Sequence, residues 1–157
     1  MKEKKLTKET FKVENFEFVD LGLPSKRLWA TENAPGHYAH KEAIDAFGKH
    51  LPKGAAMVEL MEECVVDWDG KKCGITVTGP NGNSIFFPAA GYVDDGELYN
   101  NKKEGCYWTS MLRFPNGSHA PLSQTYARFL YFINGDVGPL DRSQRSYGFS
   151  VRPLREL

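Results

Sequence analysis

Gly74–Tyr92 reads GITVTGPNGNSIFFPAAGY, and the rest of the chain is arranged around it. Ile75 and Val77 alternate with Thr76 and Thr78, the period-two pattern of a strand with one buried face. Pro80-Asn81-Gly82-Asn83 supplies a tight turn, because proline fixes its own φ and Asn-Gly tolerates φ > 0. Ser84–Phe87 returns as a denser apolar strand, as expected deeper in a core. Pro88 ends the ladder, having no N–H to donate. Ala89, Ala90 and Gly91 are small enough to let a second backbone approach closely. The stretch therefore predicts a β-hairpin, with the other aromatic segments layered around it.

The composition bounds the rest. A chain of 157 residues fits one domain and can bury roughly 70% of the surface that its unfolded form exposes. We divide it into a polar N-terminal arm, residues 1–10, and a single domain, residues 11–157. Twenty basic and twenty acidic residues give a formal charge of zero, which argues against a nucleic-acid binder held by a general basic field. Lys2, Lys4, Lys5 and Lys8, interrupted by Glu3, form the main basic cluster and read as a solvated terminus. Ten Phe, seven Tyr and three Trp, with frequent Gly and Pro, suit short strands joined by many turns. No apolar run is long enough to span a bilayer, so no membrane insertion is expected. Met1–Glu14 has no apolar h-region, so export by the general pathway is not expected if this is the full gene product. Cys64, Cys73 and Cys106 cannot all pair within one chain. Free thiols are expected, with a Cys64–Cys73 disulfide as the alternative.

In chain order, Phe11–Leu21 predicts a strand with Phe16 and Phe18 on one face and Val19 and Leu21 on the other. Gly22–Ser25 turns the chain into a short buried strand, Leu28–Ala30, anchored by Trp29. Lys41–Leu51 carries Ala43, Ile44, Phe47 and Leu51 at helical spacing, with Gly48 weakening the end. Met57, Leu60, Met61 and Cys64 give the stripe of a second helix over about Gly54–Val65, poorly capped by Lys53. Trp68 packs next, and Asp69-Gly70 leads into the hairpin. Beyond it, Asp94–Glu97 reads as a polar loop, Gly105–Ser110 as an aromatic strand, and Tyr126–Phe132 as an apolar strand turned by Asn134-Gly135-Asp136. Val137–Arg145 reads as polar loop and Tyr147–Pro153 as the closing strand.

Several of these segments together resemble the fibrobacter-type major paralogous domain. They are VDLGLPS with LWA (Val19–Ser25, Leu28–Ala30), EL within the second helix (Glu59-Leu60), VTGPNGNSIFFPAAGY (Val77–Tyr92), YWTS (Tyr107–Ser110) and YGFSVRPL (Tyr147–Leu154). That group is similar to the formylglycine-generating-enzyme branch of the C-type-lectin-like fold. The resemblance covers about Phe16 to Leu154. It implies an α+β domain in which two helices flank mixed antiparallel sheets, the N- and C-terminal strands lie adjacent, and long loops present a binding face. In retroelement-diversified relatives the varied positions would map to Tyr107–Tyr147. Three departures stand out: a shorter stretch between Trp29 and Leu51, Lys53 where Thr is usual, and Met57 where Trp is common.

Calcium-binding lectins of this fold use EPN- or QPD-type and WND triplets, and neither occurs here. Asp94, Asp95, Glu97 and Asn100 could supply oxygen ligands, but they are expected to form a solvated loop. No cofactor or metal is expected. Oxidase chemistry of the formylglycine-generating type needs a reactive cysteine pair, and Cys106 has no neighbour in sequence to match it. His37, His40, His50 and His119 show no HExxH spacing. His40 and His50 flank a helix and read as surface residues. No GxSxG elbow or GxxxxGK loop occurs. The expected binding residues are Arg113, Asn116, His119, Tyr126, Arg128, Asp141, Arg142, Gln144 and Arg145, which mix planar donors with rings in the manner of protein- or sugar-recognising surfaces. Trp29, Trp108 and Phe149 are expected in the core, and Arg152 is expected to pair with a carboxylate or a backbone carbonyl.

The resulting expectation is a non-enzymatic binding or adhesion module. A surface-type domain without an export signal would most simply reach the outside on a phage particle, as a fibre, tail or head decoration recognising a host-surface protein or glycan. Its partners would then be other virion or surface proteins, within an oligomer or larger assembly. The alternatives are a purely structural virion assembly protein and a bacterial cell-surface binding domain. A formylglycine-type enzyme is the weakest reading.

Overall fold

The hairpin forms where the period-two pattern puts it. The computed structural model describes residues 15–112, 126–138 and 140–156. In chain order its elements are β1 (Phe18–Asp20), β2 (Leu28–Ala30), α1 (His40–Phe47), a 3₁₀ turn (Gly48–His50), α2 (Gly54–Glu63), β3 (Val65–Asp69), β4 (Gly74–Thr78), β5 (Ser84–Pro88), β6 (Tyr92–Asp94), β7 (Glu97–Tyr99), β8 (Glu104–Trp108), β9 (Tyr126–Ile133), β10 (Asp136–Val137), β11 (Asp141–Gln144) and β12 (Leu154–Arg155). The architecture is α+β, with two α-helices and several antiparallel sheets among the described residues.

In the β4–β5 hairpin Ile75 opposes Phe87 and Val77 opposes Ile85, and all four are buried. β5 alternates as cleanly as β4, because Phe86 turns to the far face and is half-buried beneath the Lys72 ammonium. It is therefore not the continuously buried strand that its apolar run suggests. At the turn, Gly82 adopts φ +92° and its N–H reaches the Gly79 carbonyl at 3.0 Å. The Asn81 and Asn83 side-chain amides both donate to the Asp20 carbonyl, at 2.8 and 2.9 Å, fastening the turn to the end of β1.

The longest strand, β9, organises the second half of the chain. β8 pairs along one edge, with Trp108 opposite Phe129, and β10 and β11 share the other edge. Both faces of the β8–β9 pair are covered, and alternate residues feed two cores. Tyr107, Leu130 and Phe132 join Trp29, Met57, Leu60 and the hairpin in one cluster beneath α2. Cys106, Trp108, Ala127 and Phe129 join Phe47, Leu51, Phe149 and Val151 in the other, beneath α1. Trp29, Trp108 and Phe149 are core residues, as expected from sequence.

The closing segment corrects two expectations. β12 pairs with β2, which lies between it and β1, so the first and last strands share a sheet without being neighbours. Residues 147–153 are not one strand. They thread between three partners through single bridges, Gly148 to Val93, Phe149 to Tyr38 and Ser150 to Tyr107. Pro153 has no N–H to extend a ladder, and its carbonyl accepts from the Ala30 N–H at 3.0 Å. Residues 136–137 and 141–144, read from sequence as the end of a turn and as loop, form β10 and β11. An eight-residue strand has a second edge to satisfy, and a polar segment can do so when its own outer side meets water. The stretch after α2 forms an edge strand, β3, paired along its whole length with β4.

His40 is a further correction. It is fully buried. Its ring stands edge-on to Trp108 at 4.9 Å between centroids, and Nε2–H donates to the Thr109 carbonyl at 2.8 Å. Nδ1 has no hydrogen-bond partner. His50 is half-buried, with Nδ1 within 3.0 Å of the Leu154 carbonyl. Burial lowers the His40 pKa below the ordinary 6.5, and the charge of Arg145 adds to that effect against the Thr109 hydrogen bond. The unfolded chain therefore binds a proton here before the folded one does. Stability is expected to be intact above the unfolded value and to fall as pH drops below about 6.5 towards the folded pKa. Denaturant midpoints measured from about pH 8 to about pH 5 should show that decline, and His40→Gln, which retains an amide donor for Thr109, should flatten it. An unchanged slope would assign the decline to other groups.

Candidate functional site

The pairing of β9 with β11 sets the geometry of the expected binding surface. Arg142 lies directly opposite Arg128, and Gln144 opposite Tyr126. Opposed residues share a face, so Tyr126, Arg128, Arg142 and Gln144 project from one side of this ribbon. The Arg142 guanidinium sits 5.1 Å from the Tyr126 ring centroid, a diagonal cross-strand contact with cation–π geometry. Arg142 and Gln144 are exposed, and Tyr126 is half-buried beneath the arginine.

Arg128 is held further in, at 8% exposure. Its backbone is pinned by the Met111 carbonyl at 2.8 Å, and its own carbonyl accepts from both the N–H and the hydroxyl of Thr109. Burial, then the like charge of Arg142, lowers its pKa, and Asp141 opposes them. Asp141 opposes Phe129 in the register and so belongs to the other face, where its carboxylate accepts from the Arg142 N–H at 2.7 Å. Arg145 lies past the end of β11, and its carbonyl receives the first N–H of α1, that of His40. The structure thus unites four of the nine expected residues and sets Asp141 and Arg145 apart. Arg113, Asn116 and His119 lie outside the described residues.

The same face of β9 continues into a groove that sequence reasoning missed. Its volume is about 1010 Å³. Met57, Val58 and Met61 of α2 form one wall, Leu130, Val137 and Leu140 the other, and Arg128 stands among the lining residues. Gly54 makes the upper end possible, since a Cβ there would lie 2.4 Å from the Met111 Cε and 3.3 Å from Leu140. Glu59, Glu62 and Glu63 contribute carboxylates along the helix side. Glu59 is already engaged, accepting from the Ser25 hydroxyl at 2.6 Å and pairing with Arg27 at 3.3 Å. The signal available in the sequence was Val58, an apolar residue outside the buried helical stripe and 42% exposed.

An exposed guanidinium stacked on a phenol, with an amide alongside, can bind carboxylates, carbonyls or sugar hydroxyls, and the neighbouring groove can accept aliphatic side chains. Among the described residues no three His, Cys, Asp or Glu side chains come together as metal ligands. The three cysteines are unpaired. Burial pushes the Cys64 thiol up to about 11, helped by Glu59 and Glu63, and raises Cys106 as well, so both are protonated at neutral pH. Compared with protein-family models, curated proteins and solved structures, the chain matches none of them.

Proposed function

We propose that this chain is a non-enzymatic binding module of the C-type-lectin-like kind. In this reading it is carried on the surface of a phage particle as a fibre, tail or head decoration, and it recognises a host-surface protein or glycan. The observation that carries the reading is the β9–β11 ribbon. One face exposes Arg142 and Gln144 beside Tyr126, while the strand beneath is locked into both cores. A rigid scaffold that presents planar donors and a ring loses little conformational entropy on binding. The resemblance of Val77–Tyr92, Tyr107–Ser110 and Tyr147–Leu154 to the fibrobacter-type domain supports the scaffold and the place of the binding face.

The apolar groove favours a second reading, a structural assembly protein whose contacts are to other virion proteins, since exposed Val58 and Val137 suit a permanent interface. The two readings separate experimentally. The double variant Arg142→Ala/Gln144→Ala changes only exposed side chains and should leave thermal unfolding within about 0.5 kcal/mol of the parent. Adsorption of particles carrying it to host cells is expected to fall at least about tenfold, equivalent to about 1.4 kcal/mol. Normal adsorption with the double variant, together with failed assembly on Val58→Asp, would transfer the function to the groove.

A further inference from the structure

On the far side of the β8–β9 pair from the groove lies a carboxylate with no counter-ion among the described residues. Glu104 is only 8% exposed. Its backbone is fixed, with N–H donating to the Asn100 carbonyl at 3.1 Å and carbonyl accepting from Gly91 at 2.8 Å. Its Oε2 accepts from the Tyr131 hydroxyl at 3.1 Å, and its Oε1 faces the Cys106 thiol at 3.8 Å. Among the described residues no Lys, Arg or His forms an ion pair with it. Lys102 and Lys103, next in the chain, are exposed. An ionised carboxylate has about four acceptor sites, and here one phenol and one weak thiol donor serve them.

One aromatic ring, that of Tyr131, contacts this group directly, and a stack of partly exposed rings includes Tyr92, next to the Gly91 that bonds the Glu104 carbonyl. Tyr92 is stacked between Tyr99 and Tyr147, with centroids at 5.4 and 5.6 Å and planes inclined by 24° in each pair. Tyr131 stands against Phe129 at 6.1 Å. Tyr92, Tyr131 and Tyr147 are half-buried and Tyr99 is exposed. The Glu104 carboxylate raises the pKa of both Tyr92 and Tyr131, second only to burial, so its field reaches both rings. Asp94 acts on Tyr92 in the same direction, and Glu97 accepts from the Tyr99 hydroxyl at 3.3 Å. The patch combines π faces with negative charge.

We propose that the Glu104–Tyr131–Tyr92–Tyr147 cluster is a binding site for an organic ammonium group. A buried carboxylate without a cation is costly, and a cation supplied from outside removes that cost. Ring faces attract the same charge, and they favour weakly hydrated alkylammonium over strongly hydrated metal ions. Anions are repelled by the three carboxylates Glu104, Asp94 and Glu97. This site is separate from the β9–β11 ribbon and does not depend on its function.

The test is an NMR titration of the full chain, carrying ring-labelled tyrosine, with choline and with n-butylammonium at constant ionic strength. The neutral isostere 3,3-dimethylbutanol and sodium chloride are the controls. Saturable shifts of the Tyr92, Tyr131 and Tyr147 signals are expected for at least one ammonium and for neither control. Preference for choline marks a quaternary headgroup as the natural source, and preference for butylammonium marks a lysine-like amine. Glu104→Gln keeps an acceptor for Tyr131 and should weaken binding at least tenfold. Should that variant not fold, Tyr147→Leu, which removes a half-exposed ring, should show the same loss. A response that is linear, equal for the neutral alcohol, or unchanged in a folded variant overturns the assignment.

Discussion

Arg152→Met is expected to cost about 3–5 kcal/mol of folding stability, read as the difference in unfolding free energy in urea. Arg152 is completely buried, yet every arm of its guanidinium is used. Nε–H donates to the Asn33 side-chain carbonyl at 2.9 Å, one terminal nitrogen to the Ala30 carbonyl at 3.1 Å, and the other to the Phe86 carbonyl. The plane lies over the Phe87 ring, with its central carbon 4.2 Å from the centroid. Burial brings its pKa down to about 10, so the group is still charged at neutral pH. Methionine fills the space of the stem but leaves a buried acceptor of β2 and half-buried acceptors of the following loop and of β5 without their donor. Each such group costs about 1–3 kcal/mol. Arg152→Lys keeps the charge without the fork, so it should recover only a minor part of the loss. A loss below about 1 kcal/mol for Met would mean that water replaces the guanidinium, and the closing segment would then be held by packing alone.

That arginine shows what the sequence could and could not disclose. Its type and place on the closing segment were enough to expect a carboxylate or a backbone carbonyl as partner, and two of its three acceptors are backbone carbonyls. Which carbonyls it reaches depends on three segments distant in sequence. The hairpin and the buried tryptophans were legible for the same reason: alternation and turn chemistry are local, and a large ring has few places to go. α2 was legible down to its weak cap, since Lys53 contributes no side-chain hydrogen bond. β11 was not, because Asp141–Gln144 lies at an exposed sheet edge and carries no hydrophobic period. Its identity as a strand comes from the unused edge of β9. The candidate site follows the same logic. Tyr126, Arg128, Arg142 and Gln144 were chosen by residue type, but their common face is a consequence of register, which a polar segment does not encode locally. His40 misled because a polar residue beside a helix start usually meets water. Here Trp108 and the Thr109 carbonyl arrive from another strand.

Gly91→Ala is the other large effect, an expected loss of about 3 kcal/mol or more, seen as a fall in Tm of roughly 6–12 °C for a chain of this length. Two penalties combine. Gly91 has φ +67°, where a Cβ is disfavoured by about 1–2 kcal/mol. A Cβ there would also stand 2.1 Å from the Tyr99 carbonyl oxygen and 2.8 Å from the Asn101 nitrogen, both backbone atoms. The backbone on either side is tied, through Gly91 N–H to the Glu104 carbonyl at 2.8 Å and Lys102 N–H to the Ala89 carbonyl at 2.7 Å. Gly82→Ala separates the two terms. Gly82 also has positive φ, at +92°, but a Cβ there meets nothing within 4 Å. Its loss should be confined to about 1 kcal/mol of backbone strain. Equal losses at the two glycines would show that the Tyr99–Asn101 backbone gives way. The close approach would then not be what seats the β6–β7 hairpin against β8, and Tyr92 would owe its position to its stacked neighbours alone.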